Sequence, residues 1–349
     1  LQEKIIDGIN QAIINLSEKN DIPVDDIYLI TIVGNTIMLH FLLAEPADSL
    51  VRPPYQAVFT EARQISFQEL NIRGNSDGIV QLLPSVSAYL GADIVADLLI
   101  SNISGEDWNL LIDIGTNGEI VLAGKERILG CTTAAGPAFE GANISQGMPA
   151  LPGAISQFEI NNKQEFLYQT IAGEEPRGIC GSALIDIIAE LLDKNIINST
   201  GAFDENMDLV FRKKMTIYQD MESIKIIEDI LLTQKDIREF QLAKAAIAAG
   251  IKILLNEAGI TENQINNIYL AGGFANFINI DNASKIGLFP DNLADCVFKI
   301  GNAAGTGAKA CLLDKKELER AKLLAEKIEY FDLALHKDFQ SAFIDAIEF

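Results

Sequence analysis

Residues 110–123 have the sequence LLIDIGTNGEIVLA, and the prediction of the fold class begins with this stretch. Apolar residues on both sides of a short polar turn predict two strands, 110–114 and 119–123. Asp113 then lies near the end of the first strand, and Glu119 begins the second. The alternation with a period of two therefore predicts a β-meander that opens a domain.

Strands and helices alternate in the rest of the chain, which predicts an α/β fold. Pro84 is predicted in the first turn of a helix at 84–100, and Gly259 is predicted to end a helix at 236–258. A third strand is expected after residues 125–129. Further predicted elements are a first amphipathic helix from residue 1, strands at 27–33, 268–271 and 297–300, helices at 179–192 and from 301 to about 327, and a strand and helix in 328–349.

The composition is that of a folded, acidic chain. Its 349 residues include 27 Lys and Arg against 49 Asp and Glu, a net charge of −22, and 48% of them are hydrophobic. This length predicts two domains or one bilobed body. Because the acidic excess repels phosphate backbones and anionic lipid, neither nucleic acid nor a membrane surface is expected as a partner.

The cysteines and histidines form no metal-binding pattern in the sequence. His40 and His336 are too far apart along the chain to suggest a metal site. The four cysteines match no CxxC, zinc or cluster spacing and are Cys131, Cys180, Cys296 and Cys311. They predict reduced thiols and a cytoplasmic protein.

An uncharged window at residues 27–44 approaches the length of a membrane span. Asn35, Thr36 and His40 interrupt it, so a buried strand, a turn and a short helix are predicted instead. The chain begins with Leu1 inside an amphipathic helical pattern, which suggests a fragment of a longer protein.

The turn between the two strands of the hairpin suits phosphate binding. Its glycines let consecutive backbone N–H groups point at an anion, and Thr116 and Asn117 add side-chain hydrogen bonds. Asp113 can hold magnesium through a water molecule. The alternative is an ordinary hairpin, in which Asn117 and Gly118 are chosen for a positive φ and the flanking acids are merely solvated.

Two further glycine segments follow predicted strands. Gly272 and Gly273 place unobstructed backbone beside a ligand, and residues 301–305, GNAAG, open a helix N-terminus. Each segment alone is typical of a simple turn. Because ligands of open α/β sheets lie outside the carboxyl ends of the strands, the three segments together predict one ligand site.

This arrangement resembles the actin-like ATPases, which bind nucleotide between two ribonuclease-H-like lobes. More narrowly, the chain resembles the ATP-dependent reductive activators of corrinoid proteins in six segments: DIGTNGEIVLAG, CTTAAGPAFEGANIS, RGICGSALIDIIAELL, TQKDIREFQLAKAAI, YLAGGFANFI and GNAAGTGA. The resemblance covers essentially the whole chain. It implies ATP and Mg²⁺ as cofactors and the reduction of a corrinoid from cobalt(II) to cobalt(I), in support of methyl transfer.

The resemblance also implies a division into lobes. Residues 1–105 correspond to a first lobe, truncated at its N-terminus and completed by residues 301–349. Residues 106–300 correspond to a second ribonuclease-H-like lobe. The predicted helices at 84–100 and 301–313 would connect the lobes and act as a hinge.

Two features of the family have no counterpart in the sequence. An earlier phosphate loop of Asp-Ile-Gly-Thr-Thr type is not found before Val33. No cysteine grouping could ligate an iron–sulfur cluster, so a cluster is expected only on a module absent from this chain. The expected partners are a corrinoid protein and an electron donor acting through that module, and a homodimer stays open.

Carried over position by position, the resemblance assigns the residues of the nucleotide site. The phosphate loop is Asp113, Gly115, Thr116, Asn117 and Gly118, with Asp113 near magnesium, and the adenosine motif is Gly272 and Gly273. The other assigned residues are Gly136, Gly181, Ser182, Gly301, Asn302 and Lys244, of which Lys244 would reach the ribose or adenine. Helix packing is the alternative for Gly181 and Ser182, and a side chain that extends its charge to solvent is the alternative for Lys244.

Two carboxylates lie closest in sequence to the predicted phosphate site. Glu119 follows the turn, and Glu140 lies in the loop at 134–142. Together with Asp113 they are the candidates for catalysis, since a carboxylate can orient the hydrolytic water. The alternative for both is an ordinary surface acid.

Three other functions stay open from the residues alone. Residues 305–310, GTGAKA, fit the G-x-G-x-x-A pattern of a nicotinamide-binding turn, although the distance to Asp332 exceeds the usual spacing of about 20. A sugar or carboxylic-acid kinase would keep the fold but require a general base and a substrate pocket. A non-catalytic module whose interactions are switched by nucleotide is the third alternative.

Overall fold

The computed structural model describes residues 1–101, 103, 106–227 and 229–349. The chain divides into two compact units. Unit 1 comprises Leu1–Gly105, Glu126–Gly130 and Asn302–Tyr330. Unit 2 comprises Glu106–Lys125, Cys131–Gly301 and Phe331–Phe349.

The lobe bounds inferred from the sequence stay a prediction. Residues 331–349, which that inference assigned to the first lobe, lie in unit 2, whereas residues 126–130 lie in unit 1. The inferred boundary at residue 105 falls where Asn102, Ser104 and Gly105 lie outside the described residues.

Unit 1 contains a three-stranded sheet of order β1-β3-β2, in which β1 and β3 are parallel and β2 and β3 antiparallel. The predicted α/β class is confirmed. Its described elements are α1 (Gln2–Asn20), β1 (Leu29–Ile32), α2 (Thr36–Leu43), β2 (Arg63–Ser66), α3 (Phe67–Leu70), β3 (Ile79–Leu82), α4 (Ala92–Ile100), α9 (Ala303–Leu313) and α10 (Lys315–Lys327).

The uncharged window at 27–44 contains β1 and α2, as predicted. The side chain of Asn35 accepts a hydrogen bond from the backbone N–H of Met38 and so caps α2. Among the residues that the structure describes, none of the helices combines the length and apolar character needed to cross a bilayer.

The helix predicted at 84–100 was wrong in its first half, because α4 begins only at Ala92. The Ser87 hydroxyl accepts hydrogen bonds from the backbone N–H groups of Tyr89 and Leu90, and this turn competes with helix formation. Pro84 therefore lies outside the helix.

Unit 2 is built on the four strands β4 (Trp108–Ile114), β5 (Gly118–Ala123), β13 (Ile265–Ala271) and β14 (Val297–Gly301). Their order is β14-β13-β4-β5, with β13 parallel to both β14 and β4, and with β4 and β5 antiparallel as the sequence predicted. The carboxyl ends of β4, β13 and β14 therefore meet at one edge of the sheet.

The remaining elements of unit 2 lie around this sheet. They are β7 (Ala154–Ile160), β8 (Phe166–Thr170), β9 (Gly178–Ile179), α5 (Gly181–Asp193), α6 (Leu209–Arg212), β10 (Met215–Tyr218), β11 (Met221–Lys225), β12 (Leu231–Thr233), α7 (Gln234–Ala258), α8 (Ile280–Lys285) and α11 (Phe339–Asp345). The boundary between the units falls inside β6 (Ile128–Thr133) and β15 (Ile328–Phe331).

The long helix α7 supports the sheet from one face. It begins with a capping box formed by Thr233 and Asp236, and it ends at Gly259, whose φ of 68° is left-handed. A Cβ at Gly118 would lie 2.9 Å from a side-chain carbon of Ile247 on α7. Gly118 therefore lets α7 approach the hairpin turn closely.

Candidate nucleotide site

The turn between β4 and β5 is a tight connection. Asp113 pairs with Glu119 across the two strands, and the N–H of Gly115 donates to the carbonyl oxygen of Asn117 over 3.0 Å. None of the residues from Gly115 to Gly118 has a positive φ. A left-handed Asn-Gly turn, the ordinary explanation for this sequence, is therefore wrong.

The first glycine of the predicted adenosine motif lies directly against this turn. A Cβ at Gly272 would lie 2.6 Å from Oδ1 of Asp113, and the φ of Gly272 is 93°. The N–H of Gly272 also donates to the carbonyl oxygen of Gly301 over 2.9 Å. Contact with Asp113 and left-handed backbone both favour glycine at this position.

The structure also brings Glu140 to the turn. Glu140 ends a short 3₁₀ helix, Pro137–Glu140, and accepts a hydrogen bond from the Thr116 hydroxyl at 2.9 Å to Oε1 and 3.0 Å to Oε2. Both side chains are exposed. Of the two carboxylates predicted for catalysis besides Asp113, Glu140 thus contacts the turn from another loop, whereas Glu119 is buried on β5.

Gly181 and Ser182 have structural roles in the first turn of α5. A Cβ at Gly181 would overlap the carbonyl oxygen of Phe139. The Ser182 hydroxyl donates to the carbonyl oxygen of Ser156 over 2.8 Å, and Ser182 is buried. These contacts fit the helix-packing alternative, and the assignment of both residues to the nucleotide stays a prediction.

Lys244 lies on α7 with only 2% of its surface exposed, so its charge does not extend to solvent. Its Nζ donates to the carbonyl oxygen of Glu348 over 2.5 Å and lies 5.3 Å from the centroid of the Phe349 ring. Burial lowers the pKa of the Lys244 amine to about 8. The structure thus gives this lysine a partner in the C-terminal residues.

The nicotinamide alternative is wrong, because the six residues of GTGAKA all lie inside α9. A dinucleotide fingerprint requires a loop between strand and helix. A Cβ at Gly307 would overlap the carbonyl oxygen of Ala96, so this glycine packs α9 against α4. Asn302 caps the same helix by accepting a hydrogen bond from the N–H of Gly305 at 2.9 Å.

A polar cavity of about 660 Å³ lies beside the glycine segments and was not expected from the sequence. It is lined by β7, β8 and α5, by residues 276–279, by Asn282 of α8 and by Lys299 of β14. Its polar lining residues include Asp186, Glu190, Asn276, Asn279, Asn282 and Lys299. The sequence did contain one signal for this cavity: Asp186 and Glu190 are four residues apart on a predicted helix, and this spacing places both carboxylates on one face of it.

Asp186 is the most constrained residue of this cavity. Its Oδ1 accepts a hydrogen bond from Nδ2 of Asn282 over 2.7 Å, and its Oδ2 accepts one from the N–H of Phe158 over 3.3 Å. Burial is the main cause that raises the pKa of Asp186 to about 6. A carboxylate held in this way can receive hydroxyl or amino hydrogens of a polar ligand.

The geometry thus combines an acidic, glycine-lined turn with an adjacent polar cavity. The turn offers backbone N–H groups, a hydroxyl and carboxylates, which suit phosphates and a hard cation. The cavity offers carboxylates, amides and one lysine, which suit a ligand rich in hydroxyl and amino groups.

Family models match the chain along its whole length. Residues 107–349 match the C-terminal domain of RACo, the ASKHA domain. Residues 1–106 match the RACo middle region.

Individual relatives agree with these models. The chain is 32% identical to the corrinoid activation enzyme RamQ of Eubacterium limosum over 361 residues, covering 99% of the chain and 60% of that protein. It is 26% identical to the Co(II) methylated amine-specific corrinoid protein reductase of Methanosarcina barkeri over 285 residues, covering 75% of the chain and 50% of that protein.

A solved structure is similar over the same extent. The reductive activator for corrinoid, iron-sulfur protein matches with a TM-score of 0.89 and 32% identity, covering 99% of this chain and 56% of that one. The chain therefore spans between half and three fifths of the length of these relatives. Since the two family models together account for all of its residues, the chain belongs to the RACo family and contains that family's middle region and ASKHA domain.

Proposed function

We propose that unit 2 binds ATP with magnesium and that the chain is the nucleotide-driven part of an activator that returns a corrinoid protein from cobalt(II) to cobalt(I). One observation carries this proposal: Glu140 and Gly272 reach the hairpin turn from two other segments of the chain, where Glu140 contacts Thr116 and Gly272 lies against Asp113. The names of the relatives supply the corrinoid substrate.

The turn has room for a phosphate group. An added Cβ at Gly273 or Gly136 would meet no atom within 4 Å, and one at Gly115 would meet its nearest atom at 3.8 Å. Glycines with open space in front of them let anionic oxygens approach the backbone N–H groups closely. The triphosphate is therefore assigned to the turn at 115–117.

The oxygen donors at the turn fit Mg²⁺. This ion prefers carboxylate and hydroxyl oxygens and keeps several waters, so Asp113 would hold it through water. The bound ion neutralises phosphate charge. Glu140 would orient the hydrolytic water and accept its proton, and the Thr116 hydroxyl holds Glu140 in place for this role.

The polar cavity is assigned to the nucleoside. Asp186 and Glu190 are acceptors placed beside the chain that follows Gly273. Their carboxylates can receive hydrogen bonds from ribose hydroxyls or from an exocyclic amine. Lys244 is left out of this assignment because its Nζ already donates to Glu348.

The cysteines of this chain do not fit an iron–sulfur cluster. Cys131, Cys180 and Cys311 are buried as free thiols, and Cys296 is half-buried. Within the described residues, no three His, Cys, Asp or Glu side chains are grouped as metal ligands. We therefore assign no electron-transfer step to this chain, and free thiols fit a reducing compartment such as the cytoplasm.

Titration of the protein with Mg-ATP by calorimetry tests the proposal, with NADH as the control ligand. We expect ATP to bind, NADH not to bind, Asp113→Ala to abolish ATP binding, and a corrinoid protein to stimulate ATP hydrolysis. Normal binding and hydrolysis by Asp113→Ala would refute the assigned site. Binding without turnover would favour a nucleotide-switched module, and a phosphorylated small-molecule product would favour a kinase.

A further inference from the structure

Four phenylalanine rings form a continuous line of contacts through unit 2. The centroids of Phe349 and Phe240 are 6.3 Å apart, those of Phe240 and Phe139 are 5.5 Å apart, and those of Phe139 and Phe274 are 5.7 Å apart. Phe139 and Phe240 are buried. The line therefore crosses the interior of the unit from the C-terminal residues to the nucleotide site.

The line passes the proposed catalytic loop at Phe139. Phe139 directly precedes Glu140 in the short 3₁₀ helix Pro137–Glu140. Gly136 and Gly141 flank this helix with φ of 79° and 80°. Because glycines accept large changes of φ and ψ, the four residues between them can shift as a unit when Phe139 loses its packing.

From Phe139 the line continues to Phe274, where it ends beside the glycine pair. Phe274 directly follows Gly273. A Cβ at Gly181 would lie 2.7 Å from a ring carbon of Phe274 and would overlap the carbonyl oxygen of Phe139. The start of α5 is thus wedged between these two phenylalanines, which leaves them little freedom to move independently.

The opposite end of the line is held by what we call the C-terminal strap, residues 345–349. Nε2 of Gln241 donates to the carbonyl oxygen of Ile347 over 3.0 Å, and Nζ of Lys244 donates to that of Glu348 over 2.5 Å. Gln241 and Lys244 lie three residues apart on α7 and are both buried. One face of α7 therefore binds two consecutive carbonyl groups of the strap.

Two further contacts hold the strap. The N–H of Phe349 donates to the carbonyl oxygen of Ser199 over 2.8 Å. Lys252, farther along α7, forms an ion pair with Asp345 at 3.1 Å. Because the strap is held on both sides of Ile347 and Glu348, the ring of Phe349 has a defined position against Phe240.

We propose that Phe349 is a positioning residue for Glu140. The strap presses Phe349 on Phe240, Phe240 supports Phe139, and Phe139 keeps the 3₁₀ helix where Glu140 can accept the Thr116 hydrogen bond. Lys244 serves this arrangement by holding the strap. The effect on hydrolysis rests on the proposed function, whereas the effect on the loop does not.

Replacement of Phe349 leaves space that close-packed neighbours fill only in part. Phe240 then has room to shift, and Phe139 loses the support of an edge-to-face contact. We expect this change at the loop because Phe139 belongs to the glycine-flanked helix and because the Thr116–Glu140 hydrogen bond, which also holds this helix, is exposed.

Hydrogen exchange on the nucleotide-free protein tests the positioning directly. The informative amides are those of Gly141 and Ala142, which donate to the carbonyl oxygens of Ala138 and Pro137 over 3.0 Å. In Phe349→Ala we expect these two amides to exchange about tenfold faster, with β1 amides as the reference. Unchanged exchange at both amides would overturn the proposal.

Phe343→Ala is the matched control. Phe343 lies on α11 just before the strap, and its ring contacts Phe339 at 6.0 Å. Its replacement removes a half-buried ring from the same segment and should leave the loop amides within about twofold of wild type. An equal acceleration in both variants would mean general loosening of the C-terminus and would overturn the specific role of Phe349.

Steady-state ATP hydrolysis supplies the second readout. We expect Phe349→Ala to lower kcat about tenfold with KM within about twofold, because Glu140 acts on water and not on nucleotide binding. Phe349→Leu, which keeps apolar bulk and guards against unfolding of the alanine variant, should recover most of kcat and of the exchange protection. A wild-type protein without ATP hydrolysis would refute the proposed function, and the exchange comparison would still decide the role of Phe349.

Discussion

The hairpin turn at 113–119 and Lys244 on α7 were both predicted to contact nucleotide. In the structure their surroundings differ. The turn is met by Glu140 and Gly272 from other segments. Lys244 is buried and holds the carbonyl group of Glu348. A residue that merely matches a family motif therefore supports ligand binding less strongly than a place where residues from several segments come into contact.

The physical difference lies in where the two regions stand on their elements. The turn lies beyond the end of β4, where side chains and backbone groups face away from the sheet. Lys244 lies in the middle of α7 and is covered by residues more than 100 positions later in the chain. The strand and its turn follow from local sequence patterns, whereas the burial of Lys244 depends on residues far away in the chain.

The largest predicted effect is on Mg-ATP binding, when the turn and Lys244 are mutated separately. Asp113→Asn removes the negative charge that would hold hydrated magnesium and should weaken Mg-ATP binding by about 100-fold. Lys244→Met should leave the ATP dissociation constant within about twofold. Calorimetric titration of both variants checks this, and the reverse order of effects would assign the nucleotide to Lys244.

Loss of a single hydroxyl at the turn should have a smaller effect. Thr116→Val keeps the shape of the side chain but removes the donor to Glu140, so we expect kcat for ATP hydrolysis to fall about tenfold with little change in stability. Steady-state kinetics and a thermal melt measure the two quantities. Glu140→Gln should lower kcat in the same direction, and normal turnover by both variants would exclude Glu140 from catalysis.

A variant of the polar cavity distinguishes the nucleoside end of ATP from its phosphate end. Asp186→Asn should weaken ATP binding about fivefold, because a carboxylate acceptor is lost, and should leave binding of tripolyphosphate unchanged. Competition titrations with both ligands measure the difference. Equal losses for ATP and tripolyphosphate would place the cavity outside the nucleoside site.

The smallest predicted effect is a pH dependence of stability caused by Lys244. Its pKa is about 8 in the folded protein and 10.5 in the unfolded chain, so the unfolded state binds more protons between these values. The penalty for burying the charge is complete well below pH 8 and is relieved as the pH rises through that value. We expect the free energy of unfolding to rise by about 0.7 kcal/mol from pH 7.5 to 8.5.

Lys244→Met is the control for this pH dependence. Denaturant unfolding of wild type and variant at the two pH values gives the difference, since methionine has no titrating group. An identical rise in both proteins would attribute the effect to other residues.

Much of the fold of unit 2 could be predicted because its signals are local. The hairpin, the long helix ending at Gly259 and the strand before Gly272 all follow from short-range alternation and stop signals. The start of α4 at Ala92 was missed because Pro84 is a suitable residue for the first turn of a helix, whereas the chain forms a turn at Ser87 instead. The choice between two local structures depended on a few hydrogen bonds.

The candidate site was predictable in part. Asp113 and the turn were named from the hairpin sequence, and Glu140 was named from its position in a nearby loop. The polar cavity around Asp186 was missed because its walls come from five separate stretches of chain. Their approach depends on packing between elements, which spacing along one chain does not encode.

Periodicity and contiguous motifs were enough to predict the α/β class, the hairpin with its polar turn and the family to which the chain belongs. The tertiary structure alone decided that Thr116 donates to Glu140, that Gly272 lies against Asp113 and that Lys244 is buried under the strap. Each of these contacts joins residues distant in sequence, and close packing of whole elements selects them.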